Sequence, residues 1–390
     1  MQAFQFRMPT NLIFGPGAIE SLGEMVRPIG KKALVVTGRS SMRRLGILDR
    51  VEEQLKDAGI GYALYCEVPP NPDTAVVDRG AEMAVKEGCD FLIGLGGGSA
   101  IDAAKGIAVV AASGGSVWDY MEAGKEPGQV KEITSRTWPI VAIPTTSGTG
   151  TEATCYAVVT NEELKLKEGM GSPYLFPKVS IVDVELLTHM PPELTAVTGL
   201  DAFGQALEGY TSKDANMATD LLALEAMRRI ASSLPRAFRN GDDLEARADV
   251  AWGATLSGMV ISQVDANLCH AMSHPISAHY GTPHGLAVGL LTPATMEYNL
   301  EALPEKYAVV AEILGEDISG KTSKEAAPLA PRGMRRLMDE LDIPKGLRDV
   351  GVREEDIPRL AHDTTLMGAL TTNIRPAGQK ELEQIFRKAM

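Results

Sequence analysis

The chain has 390 residues, 44% of them hydrophobic, and a formal net charge of -13 at pH 7. This length suggests two domains, and the acidic balance argues against nucleic acid or an anionic membrane as a partner. Its four cysteines lack CxxC spacing, no apolar run reaches eighteen residues, and "MQAFQFRMPT" does not resemble a signal peptide. We therefore expect a cytoplasmic protein with reduced thiols and no membrane span.

The first part of the chain alternates short β-branched runs with helical patterns. Strands are predicted at 32–38 and 62–68, from 90 into a glycine turn, from 139 onward, and around 181–182, with amphipathic helices over 47–59 and 74–88. Such alternation predicts a mainly parallel sheet flanked by helices. The sequence thus predicts a Rossmann-like α/β domain over residues 1–183.

After about residue 184 the strand signal gives way to helical periodicity. Pro191 and Pro192 suit the start of a helix, and five further segments with helical spacing follow. The pattern predicts an all-helical domain over residues 184–390.

A glycine-rich loop follows the predicted strand that starts at 90. Gly96, Gly97 and Gly98 precede Ser99 and a helical pattern. Backbone N–H groups can approach a phosphate closely in such a loop, and the helix N-terminus adds partial positive charge. A tight turn without a ligand is the alternative, because the GxGxxG fingerprint is absent.

A second loop, "PTTSGTGTE", follows the predicted strand that starts at 139. Its hydroxyl residues include Thr145, Thr146 and Thr149, which can bond to ribose, phosphate or an adenine edge. Loops at the carboxyl ends of neighbouring parallel strands are where open α/β sheets bind nucleotides. Together the two loops predict a dinucleotide site.

The loop after the strand at 32–38 bears on the choice between NAD and NADP. Gly38 stands where an NAD site usually has an acidic residue, and Arg39 and Ser40 follow it. Guanidinium and hydroxyl groups favour a 2′-phosphate, so we expect a preference for NADP(H) over NAD(H). For Arg43 and Arg44 a solvated basic turn is an equally good interpretation.

Four of the six histidines lie within sixteen residues: His270, His274, His279 and His284. His270 and His274 are four residues apart, which places them on one face of a helix. A lone buried histidine is usually a hydrogen-bonded core residue, but this clustering favours a metal site. We expect a structural role for His279.

A transition-metal site would also use a carboxylate. The segment "GLDAFGQALEGY" offers Asp201, with Gln205 and Glu208 on the same helical face. Each of these is an ordinary helix residue by default, and only the histidine cluster makes them candidates.

These motifs, in this order and spacing, resemble the iron-containing (group III) alcohol dehydrogenase family along essentially the whole chain. The matching stretches are "FGPGAIESLG", "PPNPD", "GGGSAIDAAKGIA", "IPTTSGTGTEAT", "GLDAFGQALEGYTS" and "HAMSHPISAHYGTPHG". The resemblance implies a dinucleotide-binding α/β domain followed by a helical domain. It also implies that Asn71, Asp102 and Lys167 lie at the nucleotide site.

The resemblance further implies a divalent metal bound by one aspartate and three histidines. Asp201, His270 and His284 match three of these positions, but Gln205 stands where the family has its first histidine. A glutamine carbonyl is a weaker ligand than imidazole. We favour a retained Fe²⁺ or Zn²⁺ ion, with a metal-independent reductase as the alternative.

The activity implied by the resemblance is hydride transfer between NAD(P)(H) and a small alcohol or aldehyde. His274 would relay the hydroxyl proton or, equally, orient a ligand. A polyol enzyme like glycerol dehydrogenase, dehydroquinate synthase, and a nucleotide-binding protein without catalysis are the alternatives. We expect the protein to form a homo-oligomer. We also expect its ligand to be a small-molecule alcohol or aldehyde substrate.

Overall fold

A computed structural model describes residues 3–122, 125, 128–164 and 166–390. They form two compact units. The sheet unit comprises 8–146 and 150–190, and the helical unit comprises 191–390, the segment 147–149 and the described residues before 8. The domain limits predicted from the sequence, 1–183 and 184–390, stay a prediction.

Eight strands form two sheets within the described residues of the sheet unit. The strands are Asn11–Gly15 (β1), Lys32–Gly38 (β2), Gly61–Val68 (β3), Phe91–Gly96 (β4), Ile140–Pro144 (β5), Tyr156–Asn161 (β6), Leu166–Gly171 (β7) and Val179–Asp183 (β8). The larger sheet has the order β1-β8-β5-β4-β2-β3, and its adjacent strands are parallel. β6 and β7 pair antiparallel.

Alternate side chains of the parallel sheet enter two different cores. Along β2, Leu34 and Val36 belong to one buried cluster, whereas Ala33 and Val35 belong to another. This follows from the two-residue period of a strand, and it buries both faces of the sheet. Helices cover these faces: Leu22–Val26 (α1), Ser41–Arg44 (α2), Ile47–Asp57 (α3), Thr74–Lys86 (α4) and Gly98–Ser113 (α5).

The order of the strands reverses next to β2. The chain runs from β2 to β3 on one side and then returns to β4 on the other. In open α/β sheets the crevice outside the carboxyl ends of the strands at such a reversal binds the ligand. The loops after β2, β4 and β5 all lie at this edge, because the three strands are adjacent and parallel.

The helical unit contains ten α-helices in its described residues. They are Pro192–Thr211 (α6), Met217–Arg239 (α7), Leu244–Val264 (α8), Leu268–Tyr280 (α9), His284–Asn299 (α10), Pro304–Ile313 (α11), Ser323–Ala326 (α12), Leu329–Glu340 (α13), Ile357–Thr365 (α14) and Gln379–Lys388 (α15). No described residue after Asp183 lies in a strand. The predicted fold class, a parallel-sheet domain followed by an all-helical one, is confirmed. None of the helices in the described ranges has the length and hydropathy needed to span a bilayer.

Three strands were missed by the sequence-based prediction: β1 and the β6–β7 hairpin. The hairpin is only partly buried, and β7 has the sequence "LKEGMG" with two glycines. Polar residues and glycine are depleted in strands, so β7 carried no strand signal. β6, with the sequence "YAVVTN", was missed although it contains residues that favour strands. β1 pairs only with β8 at one edge of the sheet.

A buried lysine joins α5 to the segment between β5 and β6. The Lys105 Nζ donates to the carbonyl oxygens of Thr151, Thr154 and Tyr156 at 2.8, 2.9 and 2.7 Å. The hydroxyls of Thr151 and Thr154 lie 3.0 Å away, and Lys105 is 0% exposed. One ammonium group thus holds three carbonyls of the segment that leads into β6.

We predict that Lys105→Met lowers the free energy of unfolding by about 3 kcal/mol, because buried carbonyls lose a charged donor. Denaturant unfolding at pH 7 measures the loss. Lys380→Met, which changes an exposed lysine, serves as the control and should change stability by less than about 0.5 kcal/mol. Equal losses in the two variants would contradict this role.

The loss in Lys105→Met should also depend on pH. Burial lowers the pKa of the Lys105 ammonium from 10.5 to about 8, although Asp102 opposes the shift. Between these two pH values the unfolded chain binds more protons at this site than the native chain does. Native stability therefore rises with pH through this group. Lys105→Met should cost more at pH 10 than at pH 7, and a cost independent of pH would refute this assignment.

Candidate metal and nucleotide sites

The two predicted phosphate loops contact each other in the sheet unit. The backbone N–H of Thr145 donates to the carbonyl of Gly96 at 2.9 Å. A Cβ on Gly97 would lie 3.3 Å from the Thr146 side chain, so only glycine fits there without displacing the threonine. Gly96 has a φ of 143°, which favours glycine. Gly98 begins α5, so the helix N-terminus faces this loop.

Three more predicted cofactor residues form a connected cluster beside that loop. The Asn71 backbone N–H donates to the Ser99 hydroxyl at 3.1 Å, and the Lys167 Nζ donates to Asn71 Oδ1 at 2.9 Å. Asn71 has a φ of 54°, a left-handed conformation that asparagine tolerates better than most residues. The cluster brings one cation and two polar side chains to the start of α5.

Asp102 is engaged within the sheet unit. Its Oδ1 accepts from the Thr151 hydroxyl at 2.6 Å, and its Oδ2 accepts from the Val158 backbone N–H at 3.1 Å. Burial raises the pKa of this carboxyl, and the nearby Lys105 opposes the shift. These contacts join α5 to β6.

In the loop after β2, the structure shows acidic partners for Arg43, for which the sequence left two interpretations open. Its guanidinium forms ion pairs with Asp49 and Glu52. Arg43 therefore binds acidic side chains of α3 and does not form an open anion site. Arg39 and Ser40 are exposed just after β2. Gly38 is the last residue of that strand.

Thr149 groups with the helical unit, together with Ser147 and Gly148. A Cβ on Gly148 would lie 2.6 Å from Thr198 Cβ and 2.9 Å from the Thr198 carbonyl oxygen. The backbone of this segment therefore lies directly against α6, at a distance that only glycine permits.

Asp201, His270 and His284 converge in the helical unit, as their predicted role requires. One ligand atom from each lies within 4.8 Å of the others. The Oδ1 of Asp201 is 3.4 Å from His270 Nε2 and 3.6 Å from His284 Nε2. The residues come from α6, α9 and the first position of α10.

Two further side chains orient the two imidazoles. Glu208, one turn beyond Gln205 on α6, contacts His270 Nδ1 through Oε2. Its Oε1 accepts from the backbone N–H of His270 at 3.4 Å. The Ser273 hydroxyl lies 3.2 Å from His284 Nδ1. Since each Nδ1 has a partner, each Nε2 remains directed towards Asp201, the arrangement that metal-binding histidines normally show.

Sequence reasoning noted Glu208 only as a face-sharing residue and missed Ser273. A serine three residues after His270 was a usable signal, because positions three apart lie on the same face of a helix. The partnership of Ser273 with His284, eleven residues later, depends on how α9 and α10 pack.

The electrostatics of this cluster favour a cation. Burial opposes a charge on His270, but Glu208 and Asp201 outweigh it and raise the pKa of the imidazole to about 10. Asp201 Oδ1 and His270 Nε2 are buried and have no well-aligned hydrogen bond among the described residues. Together with His284 Nε2, these two atoms form a donor set of two nitrogens and one carboxylate oxygen, which fits a divalent transition metal.

Gln205 lies on α6 one turn after Asp201, and both polar atoms of its amide are engaged. Its Oε1 lies 3.0 Å from the Ser257 hydroxyl, which is placed to donate to it. Its Nε2 donates to the carbonyl of Thr149 at 3.4 Å. The expected weak metal contact from Gln205 would compete with these bonds.

The other two histidines of the cluster differ in position. The His274 ring lies 5.6 Å from the His284 ring, measured between centroids. His279 Nε2 lies 2.7 Å from Asp363 Oδ2, in a partly exposed pair near the end of α9. His274 is therefore near the donor set, whereas His279 joins α9 to α14.

Comparison with known proteins gives matches over nearly the whole chain. The family model for iron-containing alcohol dehydrogenase matches residues 9–184, and the model for the C-terminal part of the Fe-containing alcohol dehydrogenase family matches 195–390. The chain is 39% identical to a 1,3-propanediol dehydrogenase of Citrobacter freundii, over 99% of this chain and 98% of the relative. It is also 39% identical to a choline dehydrogenase of Bacillus subtilis, over 100% and 96% respectively.

Comparison with solved structures also gives a match over the whole chain. The crystal structure of an archaeal halo-thermophilic alcohol dehydrogenase from a Red Sea brine pool superimposes with a TM-score of 0.94 at 40% identity, with 100% of each chain covered.

We predict that Glu208→Gln weakens divalent metal binding about 10- to 100-fold, because His270 loses the anionic partner that orients it and raises its basicity. Competition with a chromogenic chelator measures this affinity. Glu297→Gln removes a carboxylate elsewhere in the helical unit, where it pairs with Arg335 and Lys388, and should leave the affinity unchanged. A Glu208→Gln affinity within twofold of the wild type would rule out the positioning role.

Proposed function

The chain belongs to the iron-containing alcohol dehydrogenase family, and we propose that it transfers hydride between NADP(H) and a small alcohol or aldehyde with the help of a divalent metal. An NAD(P)-dependent oxidoreductase activity on alcohols and aldehydes follows from the family. The metal, its ligands and the preference for NADP(H) are the parts that we propose. The convergence of Asp201, His270 and His284 carries the metal and its ligands. Gly38 at the end of β2, with the exposed Arg39 and Ser40 after it, supports the preference for NADP(H).

Asp201, His270 and His284 would hold the metal. One carboxylate and two imidazoles suffice for Fe²⁺ or Zn²⁺ and leave further coordination positions open. When bound, such an ion supplies Lewis acidity that stabilises negative charge on the substrate oxygen. Glu208 and Ser273 support this assignment, since they hold the Nε2 atoms of the two histidines towards Asp201.

His274 is our candidate for moving the hydroxyl proton. Its ring lies close to that of His284 without belonging to the three-residue donor set. An imidazole is suited to exchanging a proton near neutral pH. In alcohol oxidation His274 would take up the proton of the hydroxyl oxygen, while hydride passes from the carbon that bears the hydroxyl to NADP⁺. In aldehyde reduction the carbonyl carbon would receive hydride from NADPH, and His274 would return the proton to the oxygen.

The nucleotide would occupy the carboxyl edge of the parallel sheet. Gly96, Gly97, Gly98 and the N-terminus of α5 would meet the phosphates, with Ser99, Asn71 and Lys167 beside them. Thr145, Thr146, Thr149 and Asp102 complete the set that we propose for the nucleotide. The contact between the glycine and threonine loops supports this assignment for the sheet unit.

We also infer a cytoplasmic homo-oligomer. The four cysteines form no disulfide within the described part of the chain, and burial raises the pKa of the Cys89 and Cys269 thiols, which keeps them protonated. Light scattering of the purified protein gives the oligomeric state, and a mass equal to one chain would refute this inference.

The proposed function is tested with a panel of alcohols and aldehydes that includes 1,3-propanediol and choline, the compounds for which two relatives are named. Each is assayed with NADPH or NADP⁺, with chelator-treated protein and after adding back Fe²⁺ or Zn²⁺. We expect turnover that chelation removes and metal restores. Full activity in protein shown by elemental analysis to be metal-free would contradict the metal-assisted mechanism.

We predict that Gly38→Asp shifts the cofactor preference from NADP(H) to NAD(H). A Cβ at Gly38 would meet only ordinary contacts, 3.6 Å from the Val68 carbonyl oxygen and 3.9 Å from Ser41 Oγ, so the aspartate fits. Its charge would repel a 2′-phosphate and accept from ribose hydroxyls. The measurement is kcat/KM with both cofactors, and Gly38→Asn serves as the uncharged control. A wild-type enzyme that is more efficient with NADH would show that the loop does not select NADP(H).

A further inference from the structure

Gln205 lies at the position where the family places a metal-binding histidine, yet its surroundings suggest a different task. The residue is 5% exposed. Its amide bridges two separate parts of the helical unit, since Ser257 belongs to α8 and Thr149 to the segment 147–149. We propose that Gln205 is a positioning residue that fastens this segment to α6 and is not a metal ligand.

Two contacts hold the segment 147–149 against α6. Gly148 packs on the backbone of Thr198, where an added Cβ would come within 2.6 Å. Seven residues further along α6, Gln205 Nε2 reaches the carbonyl of Thr149. Residues seven apart lie two turns apart on the same helical face. The close packing and the hydrogen bond therefore fix the segment along one face of α6.

Ser257 sets the direction of the amide. Its side chain is 0% exposed, and its single hydroxyl proton is shared between Gln205 Oε1 at 3.0 Å and the Ala254 carbonyl at 2.7 Å. An oxygen at Oε1 and an NH₂ group at Nε2 satisfy both neighbours. With the amide reversed, an oxygen would face the Thr149 carbonyl, so the observed orientation is the stable one.

The two hydrogen bonds of Gln205 favour its present position over metal ligation. If Gln205 turned towards a metal, it would give up both hydrogen bonds, one buried and one partly buried, and their partner groups would lose them with little water to replace them. In return the metal would gain a neutral carbonyl oxygen, a weaker ligand than imidazole. Asp201, His270 and His284 already provide a charged donor and two nitrogens, so the site does not depend on an oxygen from Gln205.

The tie has a functional consequence because the segment carries Thr149. This half of the inference rests on the proposed function, in which Thr149 contacts the nucleotide. Gln205 would then reduce the freedom of Thr149 before the nucleotide binds, and such preorganisation strengthens binding. A glutamine in place of the ligand histidine would thus exchange metal affinity for a firmer nucleotide loop.

The test uses the full-length protein and two separate binding measurements. Metal affinity is measured by chelator competition, and NADPH affinity by calorimetry on metal-free and on metal-loaded protein. Gln205→Leu, which removes both hydrogen bonds at similar volume, should keep metal affinity within twofold and weaken NADPH binding about five- to tenfold. Gln379→Leu removes a glutamine bond to the Pro358 carbonyl in another part of the helical unit and should change neither value.

Gln205→His should change the metal affinity, which Gln205→Leu leaves within twofold. The imidazole adds a nitrogen donor but cannot reproduce both bonds, so metal affinity should rise at least tenfold while NADPH affinity falls as in Gln205→Leu. Ser257→Ala should also weaken NADPH binding without weakening metal binding. These variants are compared only after circular dichroism shows an unchanged helical signal.

A tenfold loss of metal affinity in Gln205→Leu would identify Gln205 as a ligand and overturn the proposal. Unchanged NADPH affinity in the same variant would also overturn it, because the tie would then have no effect on the nucleotide. Failure of the wild-type protein to bind NADPH or metal would instead refute the proposed function, so the two failures are distinguishable.

Discussion

The structure of the helical unit depends on how the negative charges of its buried carboxylates are compensated. Asp201 and Glu208 are 3% and 4% exposed, and burying a carboxylate without compensation is costly. Glu208 is compensated by His270 and by backbone N–H groups at the start of α9. Asp201 faces two imidazole nitrogens instead. A divalent cation at this position would balance the remaining negative charge, which supports the metal site that we propose.

The sheet unit also compensates a buried charge, but there the charge is positive. Lys105 is the charged group there, and backbone carbonyls compensate it. The result is local order in the segment after the threonine loop, because one ammonium group binds three carbonyls within six residues of the backbone. In both units a buried ionic group fixes loops and helices next to the residues that we assign to chemistry. Stability and function therefore depend on the same contacts.

Much of this architecture was predictable because its elements have strong local periodicity. Five of the six parallel strands are hydrophobic runs bounded by glycine and proline, and the long helices after residue 191 carry apolar residues at helical spacing. The polar and glycine-containing β7, which lies outside this sheet, lacked such a signal. The convergence of Asp201 with His270 and His284 was expected from the family resemblance, although their roles as ligands stay a prediction.

Partners that are distant in sequence could not be predicted in the same way. For Arg43 the sequence left a phosphate contact and a solvated basic turn equally open, and in the structure it pairs with Asp49 and Glu52 on the next helix. Gln205 shared a helical face with Asp201 in the sequence, yet its side chain is directed by Ser257, which lies 52 residues further along the chain. A helical pattern gives the face of a residue and leaves its rotamer undetermined, because the rotamer depends on the neighbouring helix.

The central claim is that one carboxylate and two histidines of this chain hold a divalent metal. X-ray absorption spectroscopy on protein loaded with one equivalent of Zn²⁺ tests it most directly, since imidazole rings give a distinctive multiple-scattering signal. The account predicts two imidazole nitrogens, with oxygen atoms completing the coordination, and only one imidazole in His270→Ala. A spectrum without imidazole scattering, or one that is the same in His270→Ala, would contradict the account.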